Sequence, residues 1–348
     1  MWSVDAQVWR CVVLHCTAGT ACLALKAVCA MKLVVPTTPA PTPAATAAPT
    51  NPPATPAPTQ AATPSPPAPT NPPATPAPTP RPINDLDVLA FALQLEYLEA
   101  NFYSCAATGK PIDQTLWLGG PAPTGCYKGN YSAPVLDFFT ELAANEVAHV
   151  KDLQKALANQ AIPMPQIDLD NAFAAAVAAV FKVPTLVPTF NYTKNDFTAY
   201  ASAFFFEDVG VTAYYGAIDK ISSRALVKAA AGILPVEAYH AGAIRKTLYD
   251  VGGQMDLYTY GNTKTSVSNA IAALRESISQ AVAATPGGTD SGLTKTDQNG
   301  VTTQVIFPVA DGAYAFERSA AQVIGIVTLN GANRKGGWFP NGLNGYIS

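Results

Sequence analysis

The sequence is poor in charge: Asp, Glu, Lys and Arg make up 13% of its 348 residues, the net charge is −3, and no basic run exceeds a dipeptide. Nucleic acid is therefore not an expected partner, because neutralising phosphates takes clustered Lys and Arg. No clean apolar stretch reaches the roughly 18 residues of a membrane helix, so no membrane span is expected in the mature chain. Histidine is scarcer still, at three residues: His15, His149 and His240. Four of the six cysteines (Cys11, Cys16, Cys22 and Cys29) fall within the first 31 residues. That leaves Cys105 and Cys126, which bracket one loop and are either a disulfide or two buried thiols.

What is present is organised in blocks. Residues 1–31 are moderately apolar, with Arg10 ahead of the run and small residues at Val28-Cys29-Ala30 that suit a signal-peptidase cut. They read as a secretory leader, with a transit peptide or a misplaced start as the alternatives. Residues 32–83 are a Pro/Ala/Thr-rich linker in which one ten-residue unit occurs at 50–59 and again at 70–79. Such a segment cannot bury a core and favours extended polyproline II, at about 3.1 Å per residue. It is expected to be a disordered stalk. Its Pro and Thr content, with the sequons Asn130-Tyr-Ser132 and Asn191-Tyr-Thr193, suits a secreted or cell-wall protein; a plastid location is the alternative.

An all-α fold is expected beyond Asn84, an N-cap candidate. Residues 84–251 hold four periodic segments, near 85–108, 134–159, 194–222 and 225–251, and 252–348 form a C-terminal extension. Asp137 and Glu141 are expected in the first turns of the second helix. Thr193 with Asp196 resembles a capping box for the third. Gly232 and Pro235 predict a kink or restart in the fourth. The connection over 160–193 is long enough for a crossover. Weaker helices are expected near 265–284 and 319–328.

The chemistry lies in the seams. The apolar face of the first helix runs Leu86, Leu89, Leu93, Glu96, Ala100, Tyr103, with Glu96 where Leu belongs. The second runs Phe139, Leu142, Glu146, His149, Leu153; the third Ala203, Glu207, Val211, Tyr214; the fourth Ile233, Glu237, His240, Ile244. Four buried carboxylates without compensation would cost several kcal/mol each, against a total stability of about 5–15 kcal/mol. Two divalent cations would balance them, and two neutral imidazoles would complete the shell.

The spacing suits that solution. Glu146/His149 and Glu237/His240 are both Glu-x-x-His, which places the pair on one helical face a turn apart. The order Glu, Glu-x-x-His, Glu, Glu-x-x-His is an internal repeat, and Glu96/Tyr103 and Glu207/Tyr214 repeat with it. The metal candidates are thus Glu96, Glu146, His149, Glu207, Glu237 and His240, with Glu146 and Glu237 as bridges, for two iron or manganese ions. Tyr103 and Tyr214 either hydrogen-bond a ligand or fill the core. Asp208 is a candidate to orient a metal-bound His. Glu99, Glu141 and Asp152 lie off the seams and are expected in solvent, with a ligand role as the alternative for Glu99.

These segments resemble the ferritin-like family of desiccation-related proteins. The resemblance rests on Leu95-Glu-Tyr-Leu-Glu-Ala100, Asn145-Glu-Val-Ala-His149, Phe206-Glu-Asp-Val-Gly-Val-Thr212 and Val236-Glu-Ala-Tyr-His-Ala-Gly242. The tail adds Phe316-Glu-Arg-Ser319 and Gly336-Gly-Trp-Phe-Pro-Asn-Gly342. It implies a ferritin-like four-helix bundle with a C-terminal extension, often secreted or wall-associated, without fixing an activity. Two functions are open: a di-metal oxidoreductase acting on O2 or peroxide, or a non-catalytic metal-binding or structural stress protein among wall or matrix components. A storage cage fits less well, because a closed shell must house both stalk and extension. Trp338 and Phe339 are expected to cap one end of the bundle.

Overall fold

The computed structural model describes residues 81–348 apart from 186–188, 256, 261–262, 283–289, 311, 313 and 331–333, with backbone alone through 251–266. The leader and the repeated stalk lie outside the described residues.

Helix α1 (Asp85–Thr108) opens on a capping box, in which Asn84 and Asp87 satisfy each other's backbone amides. It closes on Gly109 in the left-handed region, at φ 78°. Nearly every side chain from Asp87 to Ala107 is buried, so α1 is the central rod rather than a surface helix with one apolar face. Its other side is covered by loops and tail: Asn101 Nδ2 meets Met164 Sδ at 3.2 Å, and Gln94 bonds the Asn344 backbone at both its amide and its carbonyl. Cys105 and Cys126 form a disulfide, with Cα atoms 4.9 Å apart, which ties the following loop to the end of α1.

Helix α2 (Ala133–Leu157) runs antiparallel to α1. Tyr97 meets Gln154, Glu96 meets His149, and Phe102 and Tyr103 meet Phe139. Its Asp137 and Glu141 fall past the first turn, because the helix starts at Ala133 with Pro134 behind it. The crossover from α2 carries a helix that the sequence pattern did not announce, α3 (Asn171–Val180), whose Phe173 packs on Phe102, Phe206 and Trp338.

The segment expected as one helix over 194–222 is two, α4 (Asp196–Ala203) and α5 (Glu207–Ile218), with a turn at Phe204-Phe205-Phe206 between them. Three successive side chains of a helix point about 100° apart, and here all three rings are buried, Phe204 under Arg245 and Arg275 and both Phe205 and Phe206 against Phe173 and Trp338. The Phe204 carbonyl, which a continuing helix would offer to the Asp208 amide, accepts from Arg275 instead. The N-cap of α4 is Asn195, in a capping box with Thr198; Thr193 hydrogen-bonds Asn191.

Helix α6 (Arg224–Met255) pairs with α5 and continues through Pro235 without a restart. The fold tolerates the missing donor because Ala231, four residues earlier, is solvent-exposed, so its carbonyl can bond water. Beyond it come a hairpin of β1 (Leu257–Tyr260) and β2 (Thr263–Ser266), then α7 (Val267–Val282). A second hairpin, β3 (Thr294–Thr296) with β4 (Thr302–Gln304), and α8 (Ala320–Val327) complete the extension. Trp338 is fully buried against Phe173, Phe205 and Phe206, so the tail aromatics do close over bundle side chains.

Candidate metal centre

The four bundle helices deliver the six expected side chains to one place. Glu96, Glu146, Glu207 and Glu237 are at most 1% exposed, and His149 and His240 are nearly as deep. His149 Nδ1 lies 3.1 Å from Glu96 Oε2, 3.1 Å from Glu146 Oε2 and 3.4 Å from Glu237 Oε1. His240 Nδ1 lies 3.0 Å from Glu146 Oε1 and 3.3 Å from Glu207 Oε2. Two sets of donor atoms result, Glu96/Glu146/His149/Glu237 and Glu146/Glu207/His240, each within 4.8 Å. Glu146 gives one oxygen to each set, the placement a bridge needs. Glu237 joins only the first.

His149 Nδ1 is within hydrogen-bonding reach of Glu96 and Glu146, but the other facing donor atoms are poorly aligned for bonding one another. Glu146 Oε1, Glu207 Oε2, both oxygens of Glu237 and His240 Nδ1 have no hydrogen-bond partner. Buried polar atoms are rarely left so. Convergent orphan oxygens and an imidazole nitrogen are the donor set that a divalent transition metal accepts, so the residues fit such an ion.

Electrostatics says the same. Burial pushes the Glu96 carboxyl up to about 7, against the pull of His149, and raises Glu207. Burial and then the neighbouring carboxylates hold Glu237 well above its ordinary range. Glu146 is the exception: against burial, the adjacent His149 and His240 imidazoles draw it down to about 2. Burial alone would lower His240, but Glu146 and Glu207 push it up to about 11, and His149 is raised by Glu96, Glu146 and Glu237. Protons thus occupy the positions where cation charge is wanted.

Around the centre the repeat is reciprocal. The Tyr103 hydroxyl of α1 donates to Glu207 Oε1 of α5, and the Tyr214 hydroxyl of α5 donates to Glu96 Oε1 of α1. Both tyrosines therefore bond a candidate ligand and fill the core at once. Asn145 sits 3.3 Å from His240 Nε2; turned to present its oxygen, its amide would fix that ring with Nδ1 free for an ion.

Two expectations fail here. Glu99 is not solvated: it is 5% exposed, and burial plus the charges of Glu237 and Glu207 raise it well above the carboxylate range. Because α1 is enclosed on every side, a position off its seam is no exit to water. Gly210 of α5 makes room there, since a Cβ on it would sit 2.2 Å from Glu237 Oε2 and 3.5 Å from Glu99 Oε1. Asp208 orients no histidine. Its Oδ2 accepts from Arg245 at 2.7 Å and Arg275 at 2.8 Å. Glu141 and Asp152 are exposed, as expected.

Asp208 opens a second buried cluster that the sequence reading missed. Arg275 bonds both oxygens of Asp290, Arg318 reaches Asp290 at 2.6 Å and Thr212 at 2.7 Å, and Arg245 also donates to the carbonyls of Ser291, Gly292, Val305 and Ile306. All three arginines are at most 2% exposed. This cluster fastens the extension to α5 one residue from Glu207. Its signal was available: Arg275 interrupts the apolar spacing Ile271, Ile278 of α7 just as Glu96 interrupts that of α1.

Residues 84–250 match the family described as Ferritin-like domain. The chain is 33% identical over 254 residues to the desiccation-related protein PCC13-62 of Craterostigma plantagineum, covering 71% of this chain and 78% of that protein. It is 28% identical over 271 residues to the ferritin-like catalase Nec2 of Nesocodon mauritianus, covering 76% of this chain and 85% of that one. No solved structure matches.

Proposed function

The chain belongs to the ferritin-like, desiccation-related family, and from that premise we propose that it binds two iron or manganese ions and acts as an oxidoreductase on O2 or peroxide. One observation carries the reading: four buried carboxylates and two imidazoles converge with orphan donor atoms at their meeting point. Two divalent cations match four carboxylate charges, and iron and manganese both accept the mixed oxygen and nitrogen set. When bound, such a pair supplies electrons in twos and Lewis acidity at adjacent positions.

The chain's own residues set the terms. Glu146 reaches both sets and fixes their spacing. Tyr103 and Tyr214 hold the outer carboxylates Glu207 and Glu96 by one oxygen each, leaving the other for an ion. Glu99, outside both sets and kept protonated by burial, holds a proton beside Glu237 that peroxide chemistry can draw on. The buried surroundings exclude bulk water. The relative named a catalase favours peroxide among the substrates. The Cys105–Cys126 disulfide and the Pro-rich stalk favour a secreted or wall-associated setting over the plastid.

A second reading, a non-catalytic metal-binding stress protein, is favoured by the desiccation-related relative. Metal analysis of the full-length protein beside a Glu146→Ala/His240→Ala double variant separates the cases, followed by peroxide and O2 turnover against free metal. About two ions per chain, lost in the variant, with turnover above free metal, is the expected result. Bound metal without turnover leaves the second reading, and no bound metal after anaerobic reconstitution sinks both.

A further inference from the structure

The bundle core is not filled evenly along its axis. Toward the end where α1 and α6 begin and α2 and α5 finish, a cavity of about 30 Å³ lies between all four helices. Leu95 of α1, Leu153 of α2, Tyr214 and Ala217 of α5 and Ala230 of α6 line it. The nearest wall residues on three of the helices lie within two turns of a candidate ligand, and Tyr214 of α5 is hydrogen-bonded to Glu96 itself. Leu95 precedes Glu96, Leu153 lies one turn past His149, and Ala230 lies two turns before Glu237. The cavity therefore sits on the bundle axis beside the centre. Its outer wall includes Leu226, half-buried, and Ala229, exposed, so it reaches toward solvent.

The lining is apolar except for Tyr214, whose hydroxyl is already committed to Glu96. Water or peroxide placed here would find at most the acceptor side of that one hydroxyl for its hydrogen bonds, whereas an apolar gas needs none. A volume of about 30 Å³ has room for a diatomic gas.

We infer that this cavity is a holding site for dioxygen on the path between the centre and solvent. The inference rests on the proposed activity for its purpose. An oxidase consumes O2. In peroxide dismutation one H2O2 gives up two electrons and two protons and leaves as O2, while the second takes them and becomes two H2O. In either case an apolar gas must cross the core, whereas peroxide needs a polar approach.

The test is methyl NMR on the full-length protein under argon and then under O2 pressure, since dissolved O2 shifts the methyls it touches. Leu95 and Leu153 should shift more than Ile244 and Leu248, which are buried on the other side of the centre. Ala217→Phe, which fills the cavity, should remove the excess shift. Leu153→Ala, which enlarges the cavity, should increase it at Leu95. Unchanged Ile244 and Leu248 signals report that each variant is folded. A uniform shift across the core, or an excess that survives in Ala217→Phe, would overturn the inference. Because no metal or turnover enters this readout, O2 in the cavity without activity removes only the proposed activity. Activity without O2 in the cavity removes only the inference.

Discussion

Glu207 and Asp208 are consecutive in α5, both buried, and they belong to opposite kinds of polar core. Asp208 joins Asp290 and three arginines in a cluster whose donors and acceptors are met within the protein. Glu207 joins three further carboxylates and two histidines whose facing atoms are not. Five of the seven buried side-chain polar atoms without a hydrogen-bond partner among the described residues lie at the carboxylate centre, and none lies in the arginine cluster. A buried charge network that closes on itself is structural; one that leaves donor atoms open at a common point is built for something the chain does not contain. The pairing has a mechanical sense too, because the closed cluster anchors the helix start that carries Glu207.

The sharpest way to break this contrast is to open the closed cluster. Arg275→Ala leaves Asp208 and Asp290 short of a partner and should cost about 3–5 kcal/mol in denaturant unfolding, with or without metal. Opening the carboxylate centre should do the reverse. Glu237→Gln is near-isosteric with the protonated acid, so the metal-free protein should melt almost as before. The stabilisation by added Mn2+, about 2.7 kcal/mol at a hundredfold excess over Kd, should be lost. If the metal-free protein collapses instead, the centre is structural in the same sense as the arginine cluster.

A smaller effect tests the proton reading. Glu96 is raised from 4.5 to about 7, so between those values the folded, metal-free chain holds a proton that the unfolded chain has released. The stability from that proton is fully present below about pH 4.5 and is lost as pH rises through 7. Metal binding should accordingly release about one proton fewer at pH 8 than at pH 6, as calorimetry in two buffers would show. His240, raised to about 11, must lose its proton at either pH. An unchanged count would contradict the assignment of Glu96. The smallest change is Gly210→Ala, whose methyl presses on Glu237 Oε2. It should weaken metal binding, read as a higher Kd, while the metal-free Tm moves little because the gain of about 0.5–1 kcal/mol in helix propensity is offset by the crowding at Glu237.

Much of the site was legible because helices write their buried faces as a period. A Glu where Leu belongs is conspicuous once the spacing of threes and fours is traced, and the repeat doubled the signal. Arg275 could have been read the same way; Arg318 could not, since nothing periodic surrounds it. Glu99 was misread because the room it occupies beside Glu237 is made by Gly210 of another helix, which the spacing within α1 does not record. The break before Glu207 was hidden because each Phe there is a fair helix residue, and only the Arg275 guanidinium on the Phe204 carbonyl ends α4.

The sequence by itself determined the four periodic segments, their metal-type side chains and the twofold order of the motifs, because these follow from local spacing along a helix. Tertiary structure alone decided which oxygen of Glu146 serves which set, that Tyr103 and Tyr214 cross to each other's glutamate, and that Asp208 turns to arginine rather than histidine. Those outcomes depend on which distant segments share the space around a side chain, and periodicity within one helix carries no record of its neighbours.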